Sequence, residues 1–371
     1  MSQARRVSLS QVVIGEDEIA EVVAILRSGN LREGPVCRAF EEDFAAATGA
    51  ESAIAVSSGT AALQIAYAAL LAPGDEVLVP AFTFFATASM VAAVGAVPIF
   101  CDIHPETLTI DVADAARRIT PRTRAIAPVH LFGNPADVAA VRALAEEGSL
   151  KVVWDAAQAH AATYDGRDIG SLGDVVCYSF YPSKNMTTGE GGMICTNDAA
   201  LVGQMKLLRS QGQPRKYVHT MLGYNFRLTD FQAAIGRGQL RHLGEWTARR
   251  RENAAYLRSR LAGAPGVTLQ REEPGGEHVY HQFSLKLDDP TMRDEVLARL
   301  RAAGVDCAVH YPTPLHRQPF FAASAETVEL PVSESVSKRI FSIPVHSGLS
   351  RDDLDYVGYA VLASLPEGAR T

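Results

Sequence analysis

Cysteine is scarce in this 371-residue chain: there are 5, at positions 37, 101, 177, 195 and 307. They form no CxxC pair and no His-Cys spacing, and the count is odd, so a reduced cytoplasmic compartment fits better than a disulfide framework or a structural zinc site. Cys101, Cys177 and Cys195 lie in apolar, strand-like segments and read as buried core thiols. There is no long basic run either, and 35 Lys and Arg stand against 42 Asp and Glu, a net charge of −7. Nucleic-acid binding therefore has no electrostatic support. Met1 to Ser10 lacks the apolar core of a signal peptide. The most apolar stretch, Phe82 to Phe100, is interrupted by Thr, Ser, Gly and Pro and reads as helix then strand, not as a membrane span. Internal repeats and low-complexity segments are absent. What the chain does have is 47% hydrophobic residues, enough for a substantial core. The length makes two domains a reasonable expectation.

Helix and strand patterns alternate through most of the chain. Asp17–Leu26 and Phe40–Ala47 have helical spacing of apolar residues, the latter with Pro35 near its start. Short strands are expected at Ser52–Val56, Glu76–Val79, Val97–Cys101, Ala125–Val129 and Lys151–Trp154. Helices from Gly59 to Leu71, Thr83 to Gly95, Asp111 to Ile119 and Asp137 to Glu147 fall between them. This βαβα alternation marks an α/β protein with a mostly parallel sheet covered on both faces. Beyond Asp174 the spacing changes. Strands at Val175–Phe180 and Gly192–Thr196 bracket a loop, and Ala199–Arg209 is a helix. Thr229–Arg260 reads as a long helix with a break near Gly244. A strand at Gln282–Leu287, a helix from Arg293 to Ala303 and a strand at Ala308–Tyr311 suggest a smaller α+β unit. The expected division is a large domain over 1–245, whose N-terminal segment can pack on the small one, and a small domain over 246–371.

Several segments carry candidate chemistry. Ser57-Ser58-Gly59-Thr60 joins a strand to a helix, where free N–H groups and a close backbone approach suit a phosphate; an ordinary Ser N-cap explains it equally well. Phe84 follows the next strand, where a ring can stack on a ligand or simply pack in the core. Asp155 ends an apolar strand, Val152-Val153-Trp154, where an acid is costly without a partner. Gln158 follows it. Lys184 lies in a loop crowded with hydroxyls and glycines, with Ser179 before it and Thr187 to Gly192 behind it. A lone lysine is ordinarily a solvated surface charge. A lysine able to form a Schiff base, paired with an acid able to hold a pyridinium nitrogen, is what a pyridoxal phosphate enzyme requires. Asn225 and Arg227 alternate with aromatics in Gly223 to Asp230, ahead of the long helix.

These segments in this order resemble the DegT/DnrJ/EryC1/StrS family of sugar aminotransferases, which use pyridoxal 5'-phosphate. The likeness runs from about Gly15 to about Leu349 and includes Pro128 to Gly133, Gly170 to Asp174 and Ile343 to His346. It implies the fold-type I, aspartate-aminotransferase-like architecture, with a mixed, mostly parallel seven-stranded sheet. It implies that Lys184 forms the internal aldimine and shuttles protons, while Asp155 keeps the pyridine nitrogen protonated. By the same resemblance Gln158 contacts the ring's phenolic oxygen, Phe84 stacks on the ring, and Ser58, Gly59, Thr60 and Ser179 bind the phosphate. Asn225 would reach the phosphate of a neighbouring subunit's cofactor, making a homodimer part of the site. Arg227 would bind the amino donor's carboxylate or the sugar nucleotide, and His310, Tyr311 and His316 would line the sugar side. No metal is implied. Many relatives carry Trp or Tyr where this chain has Phe84, a change that keeps stacking possible. Some carry histidine in place of the lysine and deoxygenate sugars; Lys184 favours amino transfer. The expected reaction is ping-pong transfer from an amino acid, L-glutamate by preference, to a nucleotide-linked keto-sugar through a pyridoxamine 5'-phosphate form. A keto-cyclitol, an aminohydroxybenzoate-type product, and a non-catalytic regulator on the same fold are the alternatives.

Overall fold

The computed structural model describes residues 5–325 and 327–365; the outer ends of the two expected domains, and Met1 to Ala4 of the N-terminal segment, lie outside the described residues. Seven strands form the main sheet: β1 (Ser52–Val56), β2 (Glu76–Pro80), β3 (Val97–Cys101), β4 (Thr123–Ile126), β5 (Lys151–Asp155), β6 (Val175–Ser179) and β7 (Gly192–Thr196). Their order is β1-β7-β6-β5-β4-β2-β3. Only β7 runs against its neighbours, pairing antiparallel with both β1 and β6. The remaining pairs are parallel. This is the α/β architecture with a mixed, mostly parallel sheet.

The sheet is buried on both faces, and the strands show the reason residue by residue. Ala55, Val152 and Trp154 point to one core, which contains Phe40, Phe44, Tyr178 and Phe180. Ile54, Val56 and Val153 point to the other, with Ile65, Tyr67 and Phe100. That is the two-residue period of a strand with apolar side chains on both sides. Helices α1 (Glu16–Ser28), α2 (Pro35–Thr48), α3 (Gly59–Leu70), α4 (Ala86–Ala93), α5 (Val112–Arg117), α6 (Val138–Gly148) and α7 (Ala199–Arg209) are the first seven in the chain. Pro35 occupies the first turn of α2, where its missing N–H costs nothing. The helix expected from Thr83 starts only at Ala86, after a turn that carries Thr83 and Phe84 past the end of β2.

Helix α8 spans Asp230–Leu261, 32 residues without interruption at Gly244. One glycine costs about 1 kcal/mol in a helix interior, too little to break a helix packed along its length. The expected division at 245 falls inside it. Its first part packs on α1 and α2. Ala254, Leu257 and Leu261 in its last turns join a separate core with Phe283, Leu300, Phe341 and Val361. That core covers a three-stranded antiparallel sheet of β8 (Val267–Leu269), β9 (Phe283–Leu287) and β10 (Ile340–Ile343), in that order. Val7 bridges Val305, so the N-terminal segment reaches this part of the molecule. Ala308–Tyr311 is not a strand: Ala308 makes a single bridge to Ser342 and the chain then leaves the sheet.

Candidate active site

The parallel strands deliver polar residues to one edge of the sheet. Asp155 is the last residue of β5, Ser179 the last of β6, and Ser58 follows β1. Together with the turn after β2 they surround a pocket of about 480 Å³. Ser58, Gly59, Thr60, Phe84, Asp155, Gln158, Ser179, Lys184, His310 and Tyr311 all line it.

The wall below α3 is shaped for a phosphate. Ser58 caps the helix, its Oγ accepting from Ala61 N at 3.1 Å. A Cβ on Gly59 would lie 2.7 Å from the Ser179 Cβ, and one on Gly192 would lie 2.5 Å from the Ser58 carbonyl oxygen. Only glycines let β6, β7 and the start of α3 close to this distance. First-turn N–H groups of a helix lack intrahelical acceptors and attract an anion.

Asp155 is 4% exposed. Its Oδ2 accepts from the Thr87 hydroxyl at 2.7 Å and its Oδ1 from Ala157 N at 3.1 Å. Burial raises its pKa, while the Thr87 hydroxyl, the Ala157 N–H and the positive charge of Lys184 oppose that rise. Lys184 stands on the loop between β6 and β7. The loop is held by Lys184 N to Tyr181 O at 2.9 Å and Thr188 N to Phe180 O at 3.1 Å. Next to the lysine, Asn185 Nδ2 donates to Val279 O at 3.2 Å. Burial lowers the Lys184 pKa from 10.5 to about 8, against the pull of the Asp155 carboxylate. A lysine in this range exposes a useful fraction of free amine near neutral pH.

Gln158 spans the pocket floor. Its Oε1 accepts from Phe132 N at 2.6 Å, and its Nε2 donates to the Tyr311 hydroxyl at 2.9 Å. Phe84 is 55% exposed at the mouth, with its ring 6.1 Å from that of Tyr311.

Three of the expected residues are not brought here. His316 is fully buried, its Nε2 2.9 Å from Glu334 Oε1 and its ring against Phe100. His316 lies in the short turn Leu315–Arg317 after Pro314 and is not among the residues that line this pocket. Asn225 is exposed and bridges Ser210, and Arg227 bridges Val56. Neither lines this chain's pocket. Other lining residues escape sequence reasoning: His281, Gln282, Glu190 and Tyr181, and Thr87 behind Asp155. The need of a buried acid for a donor signals that something like Thr87 exists, though not which residue.

The donor set fits pyridoxal phosphate. A glycine-lined helix start suits its phosphate, a buried carboxylate its ring nitrogen, a flat exposed ring at the mouth its face, and a lysine of lowered pKa its aldehyde.

Comparison with known proteins gives the family. The model of the DegT/DnrJ/EryC1/StrS aminotransferase family matches residues 12–362. The dTDP-3-amino-3,4,6-trideoxy-alpha-D-glucose transaminase of Streptomyces venezuelae is 42% identical over 335 residues, 90% of this chain and 88% of the relative. The UDP-N-acetyl-3-dehydro-alpha-D-glucosamine 3-aminotransferase of Acidithiobacillus ferrooxidans is 40% identical, with 94% of each chain covered. Among solved structures, S. venezuelae DesV in complex with a ketimine intermediate superposes with a TM-score of 0.91 at 40% identity, covering 95% of this chain and 94% of DesV. With a family match over nearly its whole length and the site built as that chemistry requires, the chain belongs to the DegT/DnrJ/EryC1/StrS aminotransferase family, whose members are pyridoxal phosphate-dependent.

Proposed function

We propose that the protein moves the amino group of L-glutamate onto a keto group of a nucleotide-linked sugar. The observation that carries this reading is the convergence of Lys184, Asp155 and the Gly59 helix start in one pocket. The names of the relatives, which describe dTDP- and UDP-linked sugars, support the acceptor class.

When bound, the cofactor supplies an electron-withdrawing ring that stores the amino group between two half-reactions. The residues do the rest. Ser58, Gly59, Thr60 and Ser179 bind its phosphate. Asp155, to which the Thr87 hydroxyl and the Ala157 N–H donate, would hold a proton on the ring nitrogen. Gln158 Nε2 donates to the ring's phenolic oxygen, and Phe84 covers one face and excludes water from it. Lys184 Nζ, its pKa lowered by burial to about 8, would be the amine that holds the cofactor's aldehyde group. The same amine, free, would be placed to move a proton at the carbon of the bound donor or acceptor. His310 faces the acceptor from the pocket rim.

Asn225, exposed on its edge and absent from its own pocket, suits a homodimer in which it reaches the neighbouring subunit's phosphate. Arg227 would serve substrate anions from the same segment. All five cysteines are free and buried, which supports a cytoplasmic setting. Among the described residues no helix is long and apolar enough to cross a membrane.

The test is release of 2-oxoglutarate from L-glutamate with a panel of acceptors. Turnover with a dTDP- or UDP-linked keto-sugar supports the reading. Turnover with a keto-cyclitol and with none of the nucleotide sugars would overturn the substrate class while leaving the transaminase chemistry intact.

A further inference from the structure

The hydrogen bonds beneath the pocket fix more than the position of Gln158. A backbone N–H can only donate, so the Gln158 atom 2.6 Å from Phe132 N is the carbonyl oxygen. The amide is thereby prevented from flipping, and the group 2.9 Å from the Tyr311 hydroxyl is its NH2. An amide NH2 can only donate. The Tyr311 oxygen must accept, and its own proton has to leave in another direction. Among the described residues the structure gives that O–H no acceptor, and Tyr311 lines the pocket. Its ring is wedged against Phe82 and Phe84, with centroids 6.2 and 6.1 Å away, so the phenol has little freedom to turn aside. Phe132 itself sits at φ 62°, a left-handed conformation rare for a bulky residue, and this geometry aims its N–H at Gln158.

We propose that the Tyr311 O–H is a second hydrogen-bond donor to the phenolate oxygen of the bound cofactor, acting beside Gln158 Nε2. This rests on the placement of pyridoxal phosphate in the pocket, and it moves Tyr311 from the sugar side to the ring. Two donors on that oxygen stabilise its negative charge. They weaken its hold on the proton of the conjugated imine nitrogen, so the imine loses its proton at lower pH. Tyr311 remains a neutral donor throughout the working range, because burial pushes its phenol pKa up.

The experiment is a pH titration of the visible absorption band of the cofactor-loaded protein. In Tyr311→Phe the midpoint should rise by about one pH unit or more, the loss of one hydrogen bond to a charged group. In Gln158→Glu a carboxylate faces the phenol and captures its proton, so the midpoint rises as well. The double variant should then move no further than Gln158→Glu alone, a non-additivity that a structural role would not produce. An unchanged midpoint in Tyr311→Phe, or full additivity in the double variant, overturns the proposal. A change confined to KM for the sugar, with the midpoint unmoved, places the O–H on the acceptor and also overturns it. If the wild type takes up no cofactor and shows no band, it is the underlying reading that has failed.

Discussion

Thr87 is the residue whose loss tests the electrostatics of the site most sharply. Its hydroxyl donates to Asp155 Oδ2 at 2.7 Å, and its side chain is fully buried. Replacing it with valine keeps the shape and removes only the donor. A hydrogen bond to a buried charged group contributes about 1.5–3 kcal/mol, and its loss would raise the Asp155 pKa by roughly one to two units. Asp155 is already pushed upward by burial, so the change adds to an existing shift. The sign follows from which form works: the ionised carboxylate holds the protonated ring nitrogen, and the neutral acid does not. In Thr87→Val the acidic limb of cofactor affinity, measured by absorbance titration of the apoprotein at a series of pH values, should move up by about one to two pH units. Thr87→Ser retains the hydroxyl and should restore the wild-type limb. If Thr87→Val left the limb in place while Asp155→Ala abolished binding, the hydroxyl would have no part in keeping Asp155 ionised.

Two further outcomes follow from the same pocket. Free amine at Lys184 is the form that captures the cofactor, and its pKa is lowered to about 8; the rate of cofactor uptake by the apoprotein should therefore rise with pH and level off above about 8, whereas a rise continuing toward 10.5 would show an unperturbed lysine. Gly59→Ala sets a Cβ 2.7 Å from the Ser179 Cβ, an overpacking that should cost about 1–3 kcal/mol in thermal or denaturant unfolding and weaken cofactor binding; a variant with wild-type stability and affinity would show that the cradle can yield.

Much of the sheet and the core of the site were legible in the chain because their signals are local. Apolar runs bounded by turns marked the strands, and polar residues directly after those runs marked the strand ends where ligands of α/β sheets bind. Asp155 stands out in this way, while Lys184 stands out by its loop crowded with hydroxyls and glycines and Gly59 by its place at a strand-to-helix junction. The differences arise where a residue's surroundings depend on chain far from it. His316 is close in sequence to His310 and Tyr311, yet its ring pairs with Glu334 in α9 (Pro331–Arg339) and is not part of the pocket lining. The Ala308–Tyr311 segment alternates like a strand but finds only one pairing partner at Ser342. Gly244 carried a helix-breaking signal that packing on α8 overrides. Thr87 was unreadable as an Asp155 partner because parallel pairing of strands from distant parts of the chain is what joins them.

The central claim is that Lys184 is the covalent anchor of the cofactor. The direct measurement is borohydride reduction of the loaded protein followed by peptide mass mapping. The account predicts a pyridoxyl adduct on the peptide containing Lys184, lost in Lys184→Ala together with 2-oxoglutarate formation from L-glutamate. An adduct on another lysine, or full transamination by Lys184→Ala, would contradict it.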